Sequence, residues 1–198
     1  MAKHKAFEEL LNTQFRWPVK GDKAFVIANN PCDNAKIAVD GFARLVLMLE
    51  GYKMGADLMV LDAEKDVRNR DLLIFPIIFN YRQFLELSLK YQLATHGPKV
   101  GIGPNWKSHK LEVLWSEFRE MLEKFGTPDP DEVDPVVGKI ILEFAKIDPD
   151  SFSHRYPVDR HGALIPIAVG DLHLPTLADV VNGVAGYFSG TDGYLSAL

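Results

Sequence analysis

A single cysteine, Cys32, is all the thiol chemistry this 198-residue sequence has. One cysteine excludes an internal disulfide and most zinc patterns, which leaves Cys32 as an ordinary thiol beside a turn. Long apolar runs are also scarce. The longest spans 72–79 with Pro76 inside it, far short of the ~20 residues that cross a bilayer. Behind the lysines of the N-terminus no apolar stretch follows, so no secretory signal is read and a cytoplasmic, membrane-free protein is expected. Basic residues are too few for non-specific duplex binding: the net charge of −5 argues against a dense phosphate-neutralising face, though it leaves room for a small basic cleft.

Cofactor motifs are missing too. Gly101-Ile102-Gly103 lacks the third glycine and the strand–helix setting of a dinucleotide loop, and there is no Gly-Lys-Ser/Thr phosphate loop. Neither His-Glu-x-x-His nor Gly-x-Ser-x-Gly occurs. Asp129, Asp131 and Asp134 alternate with prolines and lack the glycine of a calcium loop, so they read as loop and cap residues. No cofactor and no metal are expected.

What is present is helical patterning. Hydrophobic residues make up 47% of the chain, enough to bury a core without staples. Residues 1–35 read as an irregular segment packed on the rest, with a short helix at 7–11 and a strand-like run at 24–28 stopped by Asn29-Asn30-Pro31. From about residue 36 the period is helical. Phe42, Leu45, Val46, Leu49, Tyr52, Ala56 and Met59 form one apolar stripe, within which Gly51 and Gly55 suggest close packing.

A second helix at 71–95 is apolar on nearly every side and therefore central; Pro76 bends it or marks its start, and His96-Gly97-Pro98 ends it. Further helices are expected from Ser108 as N-cap, from the Asp134-Pro135 cap, and over 175–188. The fold class is thus all-α, a four- to five-helix bundle over 36–198. A small β-hairpin or extended excursion is expected near 155–168, turning at Asp159-Arg160-His161-Gly162.

Two constellations carry charge into this pattern. Arg82, Glu86 and Lys90 recur every four residues on the apolar central helix, sharing one face. Buried charges must be paired or used, so they form either a structural ion-pair ladder or a groove for an anionic ligand. The stretch 153–161 packs Ser153, His154, Arg155, Tyr156, Asp159, Arg160 and His161 together. Arginines there could hold a phosphate while His161 exchanges protons near neutral pH, or the segment is simply a solvated turn. His109, at the start of the third helix, is a further candidate, whereas Trp115 on an apolar stripe reads as core. His4, His96 and His173 stand alone.

The segment 75–90, Phe-Pro-Ile-Ile-Phe-Asn-Tyr-Arg-Gln-Phe-Leu-Glu-Leu-Ser-Leu-Lys, resembles the central helix of HEPN-type bacterial helical proteins. His109-Lys110-Leu111, Trp115 and Arg155-Tyr156-Pro157 extend the resemblance over roughly 37–188. It implies a bundle that usually dimerises. It further implies one of two roles in phage defence or toxin–antitoxin systems: a non-enzymatic binding or interaction module, or a metal-independent ribonuclease.

The ribonuclease members carry Arg, four to six residues, then His. Arg155 and His161 have that spacing, although Tyr156 and Pro157 depart from the polar residue that commonly follows the arginine. The expected function is the binding module, with the Arg155–His161 ribonuclease as the alternative. Its expected contacts are Arg82, Glu86, Lys90, His109, Tyr156 and Arg160, and its expected partners a second copy, RNA or a nucleotide, and a protein anchored at Trp17, Trp106 or Trp115.

Overall fold

The computed structural model describes residues 16–149, 154–167 and 170–198. The expected helix at 7–11, His4 and Ser153 lie outside the described residues. The chain divides into two compact units, Met1–Ile37 and Ala38–Leu198.

In the first unit the described residues form turns and one 3-10 helix, Pro31–Asp33, capped by the Asn30 side chain, which accepts from Cys32 N. The run 24–28 is not a strand. Its end is closed by Asn34, which accepts from Ala28 N at 2.8 Å and donates to Ala28 O at 3.1 Å. A lone extended run has no ladder partner, and side-chain amides take over the backbone groups instead.

The second unit is built from α1 (Gly41–Ala63), α2 (Val67–Thr95), α3 (Leu111–Phe125), α4 (Val133–Ile147) and α5 (Leu174–Ser196), with a 3-10 turn, Gly97–Val100, after α2. Among the described residues it is an all-α bundle without strands. Asp40 caps α1 by accepting from Ala43 N at 2.7 Å, and Asp66 caps α2 by accepting from Arg68 N at 2.9 Å. Pro76 neither starts nor ends α2, which begins nine residues earlier in sequence at Val67. The carbonyl that loses its partner to Pro76 belongs to Leu72, an exposed residue that water can serve.

From Ile77 to Leu93 α2 is the core of the bundle, packed against α1, α3 and α5, while α4 leans on α3. By length and composition alone α2 could cross a membrane, but half of that stretch is buried inside the bundle, together with Arg82, Glu86 and Lys90.

Three boundaries differ from expectation. Lys110, not Ser108, stands at the N-cap of α3; Ser108 Oγ accepts from Lys110 N at 3.2 Å and shapes the turn before it. Asp134 lies inside the first turn of α4 rather than capping it. The cap comes from Asp129, whose two oxygens accept from Val133 N at 2.8 Å and Asp134 N at 2.9 Å. Asp134 is free to bind Arg119 and the Tyr187 hydroxyl across the bundle. Finally, α5 runs past Phe188 to Ser196 despite Gly186, Gly190 and Gly193, because buried Leu195 and the Asp192–His96 contact hold its last turns.

The expected hairpin reduces to one antiparallel bridge, Val158 with Leu164. Asp159 Oδ1 accepts from His161 N and Ala163 N, and Gly162 takes φ +80°. Pro157 and Pro166 remove the donors a longer ladder needs.

The apolar stripe of α1 is buried through Leu45, Leu49 and Ala56; a Cβ at Gly55 would stand 3.4 Å from Asn80 Nδ2, whereas one at Gly51 would meet open space. Directly opposite lies a second stripe. Leu47, Met54, Leu58 and Leu61 follow a three–four spacing and are 58–62% exposed.

Candidate functional site

Arg82 is fully buried and spends its whole guanidinium inside the protein. Nη1 donates to Glu86 Oε2 at 3.0 Å, Nε to the Asp148 carbonyl at 3.0 Å, and Nη2 to the His109 carbonyl at 2.7 Å. The other Glu86 oxygen receives Lys90 Nζ at 2.8 Å and lies 2.8 Å from His109 Nδ1. Burial alone would push the Glu86 carboxyl up, but the Lys90 and His109 hydrogen bonds, the Lys90 charge and Arg82 together hold it below its ordinary value.

The four-residue spacing on α2 therefore makes a closed ladder. It clamps α2 to the loop before α3 and to the end of α4. As an open groove for an anion, Arg82, Glu86 and Lys90 do not serve: their polar atoms are taken by one another and by Asp148 and His109.

His109 is the member that reaches out. Its carbonyl and Nδ1 are fixed from the core, yet its side chain is 65% exposed, which leaves Nε2 as the ring nitrogen available to a ligand. A carboxylate that orients an imidazole in this way fixes its tautomer and direction.

It opens on a cleft of about 1240 Å³, between the 107–110 loop and the 156–165 turn. Lys107, His109 and Lys110 line one side; Arg160 and His161 line the other. Tyr156, Val158, Ile165 and Pro149 give it an apolar wall, and Asp159 is the carboxylate present, already engaged with turn amides. α3 begins directly after Lys110, so its positive helix end lies on the lysine side.

Of the residues singled out from sequence, Tyr156, Arg160, His161 and His109 come together in this cleft. Arg155 does not line it. Its guanidinium lies 5.6 Å from the Phe79 ring centre and 5.8 Å from that of Tyr156, a cation–π packing against α2. His161 Nε2 accepts from Arg160 Nε at 3.1 Å, so the nitrogen a general base would use is already occupied in this arrangement. His154 is buried 3.7 Å from Asp148 Oδ2, beside Phe75, and takes no part in the cleft.

Lys107 and Lys110 escaped sequence reasoning. The density of basic residues at 107–110 was the signal for them, but only the fold brings that loop opposite residue 160. Among the described residues no group of three or more His, Cys, Asp or Glu side chains could hold a metal ion.

No family model matches this sequence, and no curated protein or solved structure matches it.

Proposed function

We propose that this chain is a non-enzymatic helical binding module whose cleft takes a nucleotide unit, free or within an RNA strand. One observation carries the reading: three basic side chains from two separate loops, Lys107, Lys110 and Arg160, converge on a cleft that also offers Tyr156 and an apolar wall. Phosphate suits the basic rim and the start of α3, and a base suits the aromatic face of Tyr156. The cleft exceeds the volume a single nucleotide needs, which leaves room for a neighbouring unit. His109, anchored on Glu86, is a preorganised donor or acceptor for the ligand. Under the resemblance of 75–90 to HEPN-type proteins, such a module serves in the cytoplasm in phage defence or a toxin–antitoxin pair.

Fluorescence anisotropy with a labelled short uridine oligonucleotide, competed by adenosine triphosphate, tests this. Joint replacement of Lys107, Lys110 and Arg160 by alanine is expected to weaken binding by well over tenfold and to flatten the salt dependence by about 2 log units per log unit of salt, given ~0.7 per single-strand phosphate contact. Arg155→Ala, outside the cleft, is expected to bind within about twofold of the wild type. The RNA should be recovered intact. Metal-independent cleavage that His161→Ala abolishes would reinstate the ribonuclease, and absence of binding to either probe would end the proposal.

A second reading rests on α1. Its outer stripe presents roughly 400 Å² of contiguous apolar surface, the size of patch that is often functional and about half of the ~800 Å² each partner contributes to a standard interface. The heptad spacing of the stripe favours a second copy as its partner. Sedimentation at micromolar concentration is expected to give a dimer that the pair Met54→Glu and Leu58→Glu converts to monomer. A wild type that sediments as monomer at high concentration contradicts this interface.

A further inference from the structure

The side chains lining the cleft between the 107–110 loop and the 156–165 turn are rich in donors and short of open acceptors. Lys107, Lys110 and Arg160 can offer a ligand only N–H groups. Several acceptors beside them are already engaged. Asp159 Oδ1 takes the amides of His161 and Ala163, Ser108 Oγ takes that of Lys110, and His161 Nε2 takes Arg160 Nε. His109 differs. Its Nδ1 stands 2.8 Å from Glu86 Oε1 while the side chain is 65% exposed, so Nε2 is the ring nitrogen left for the cleft.

The character of that nitrogen is set from the core. Burial alone would raise the Glu86 carboxyl, but Lys90, His109 and Arg82 hold it below its ordinary value, so it is ionised near neutral pH. An ionised carboxylate can only accept. Nδ1 therefore carries the proton, and Nε2 of the neutral ring presents a lone pair. Arg82 Nη2 donates to the His109 carbonyl at 2.7 Å, which pins the backbone beneath the ring. With ring and backbone both held, little freedom is lost when a ligand binds.

Position decides which ligand donor this acceptor meets. His109 stands between Lys107 and Lys110 in sequence and lines the cleft with both, whereas Tyr156 comes from the 156–165 turn. With phosphate on the lysines and the base against Tyr156, the part of a nucleotide beside His109 is its sugar. Within a strand the 3′ and 5′ oxygens are esterified, so the 2′-hydroxyl is the one donor that sugar has.

We infer that His109 is the specificity residue of the cleft, its Nε2 accepting from the 2′-hydroxyl, so that ribonucleotides are taken in preference to deoxyribonucleotides. This rests on the nucleotide reading above and adds to it the choice of sugar and the residue that makes the choice.

Fluorescence anisotropy of the full chain at pH 8, on the alkaline side of imidazole titration, compares a labelled uridine tetranucleotide with its 2′-deoxy and 2′-fluoro counterparts. The fluoro sugar keeps the pucker of ribose but cannot donate. The ribose strand is expected to bind about two- to tenfold more tightly than either, the scale of one neutral hydrogen bond. His109→Ala should bring the three strands within about twofold of one another. Because each comparison is a ratio on one protein, partial unfolding of the variant would weaken all three alike and leave the ratio readable. Equal affinity of the wild type for ribose and deoxyribose strands, or a preference that survives His109→Ala, overturns the assignment while leaving the cleft a nucleotide site. A fluoro strand bound as tightly as ribose would trace the preference to sugar shape, which overturns it too. If none of the three strands binds the wild type, the nucleotide reading itself fails.

Discussion

Glu86→Gln is expected to cost about 3–5 kcal/mol of stability, the range for removing one partner of a buried ion pair. The substitution keeps the shape but leaves the Arg82 and Lys90 charges, 0% and 3% exposed, without their shared counter-ion. For a chain of this size the loss corresponds to a fall in melting temperature of roughly 10 °C by circular dichroism. Its pH dependence has a defined sign. The folded carboxyl sits below its ordinary value of 4.5, so its contribution is complete above that pH and drains away as the pH falls through the lower, folded value. The gap between wild type and Glu86→Gln should therefore be constant near neutrality and narrow below about pH 4.5. A gap independent of pH down to strong acid would show that packing, rather than charge, holds this position. Because His109 is anchored on the same carboxylate, the variant should also loosen one wall of the cleft.

Phe118→Ala is expected to have a comparable effect by a different route. Phe118 is fully buried in an aromatic cluster, with ring centres 5.4 Å from Trp115, 6.3 Å from Tyr187 and 5.8 Å from Phe188. These contacts join α3 to α5 through one ring, and close packing at Gly138 leaves Trp115 no room to move in: a Cβ there would stand 2.7 Å from its Nε1. A cavity at 118 cannot collapse, so urea titration should give a loss of about 3–5 kcal/mol. Leu58→Ala, on the exposed face of α1, should cost less than about 0.5 kcal/mol in dilute solution. Similar losses at the two positions would mean that α1 is covered and the aromatic cluster is not the core.

How far the sequence reaches is clearest on α2. Residues 77–93 alternate too little for an amphipathic surface helix, and three charges spaced by four on such a helix have few places to go but into one another. That much was legible, as was Trp115 in the core. Asp148 and the His109 carbonyl, the remaining partners of Arg82, come from residues 66 and 27 positions away and follow from no local pattern. The end of α5 lies beyond the apolar stripe that ends at Phe188, where tertiary contacts at Asp192 and Leu195 outweigh the cost of Gly190 and Gly193. Of the hairpin or extended excursion expected near 155–168, the described residues hold the turn and one bridge, because Pro157 and Pro166 beside it leave no donors for longer strands. Half the cleft was visible as a crowd of polar residues at 154–161. The other half, Lys107 and Lys110, needed the α2–α3 connection to fold back across it.

The cleft is tested most directly by heteronuclear NMR of the full chain during titration with adenosine triphosphate. Backbone amides of the 107–110 loop and of the 156–165 turn should shift together with one shared affinity, while those of Phe118, Phe188 and the rest of the α3–α5 seam stay in place. Shifts confined to one of the two loops, or centred on the α3–α5 seam, would contradict a two-walled nucleotide site.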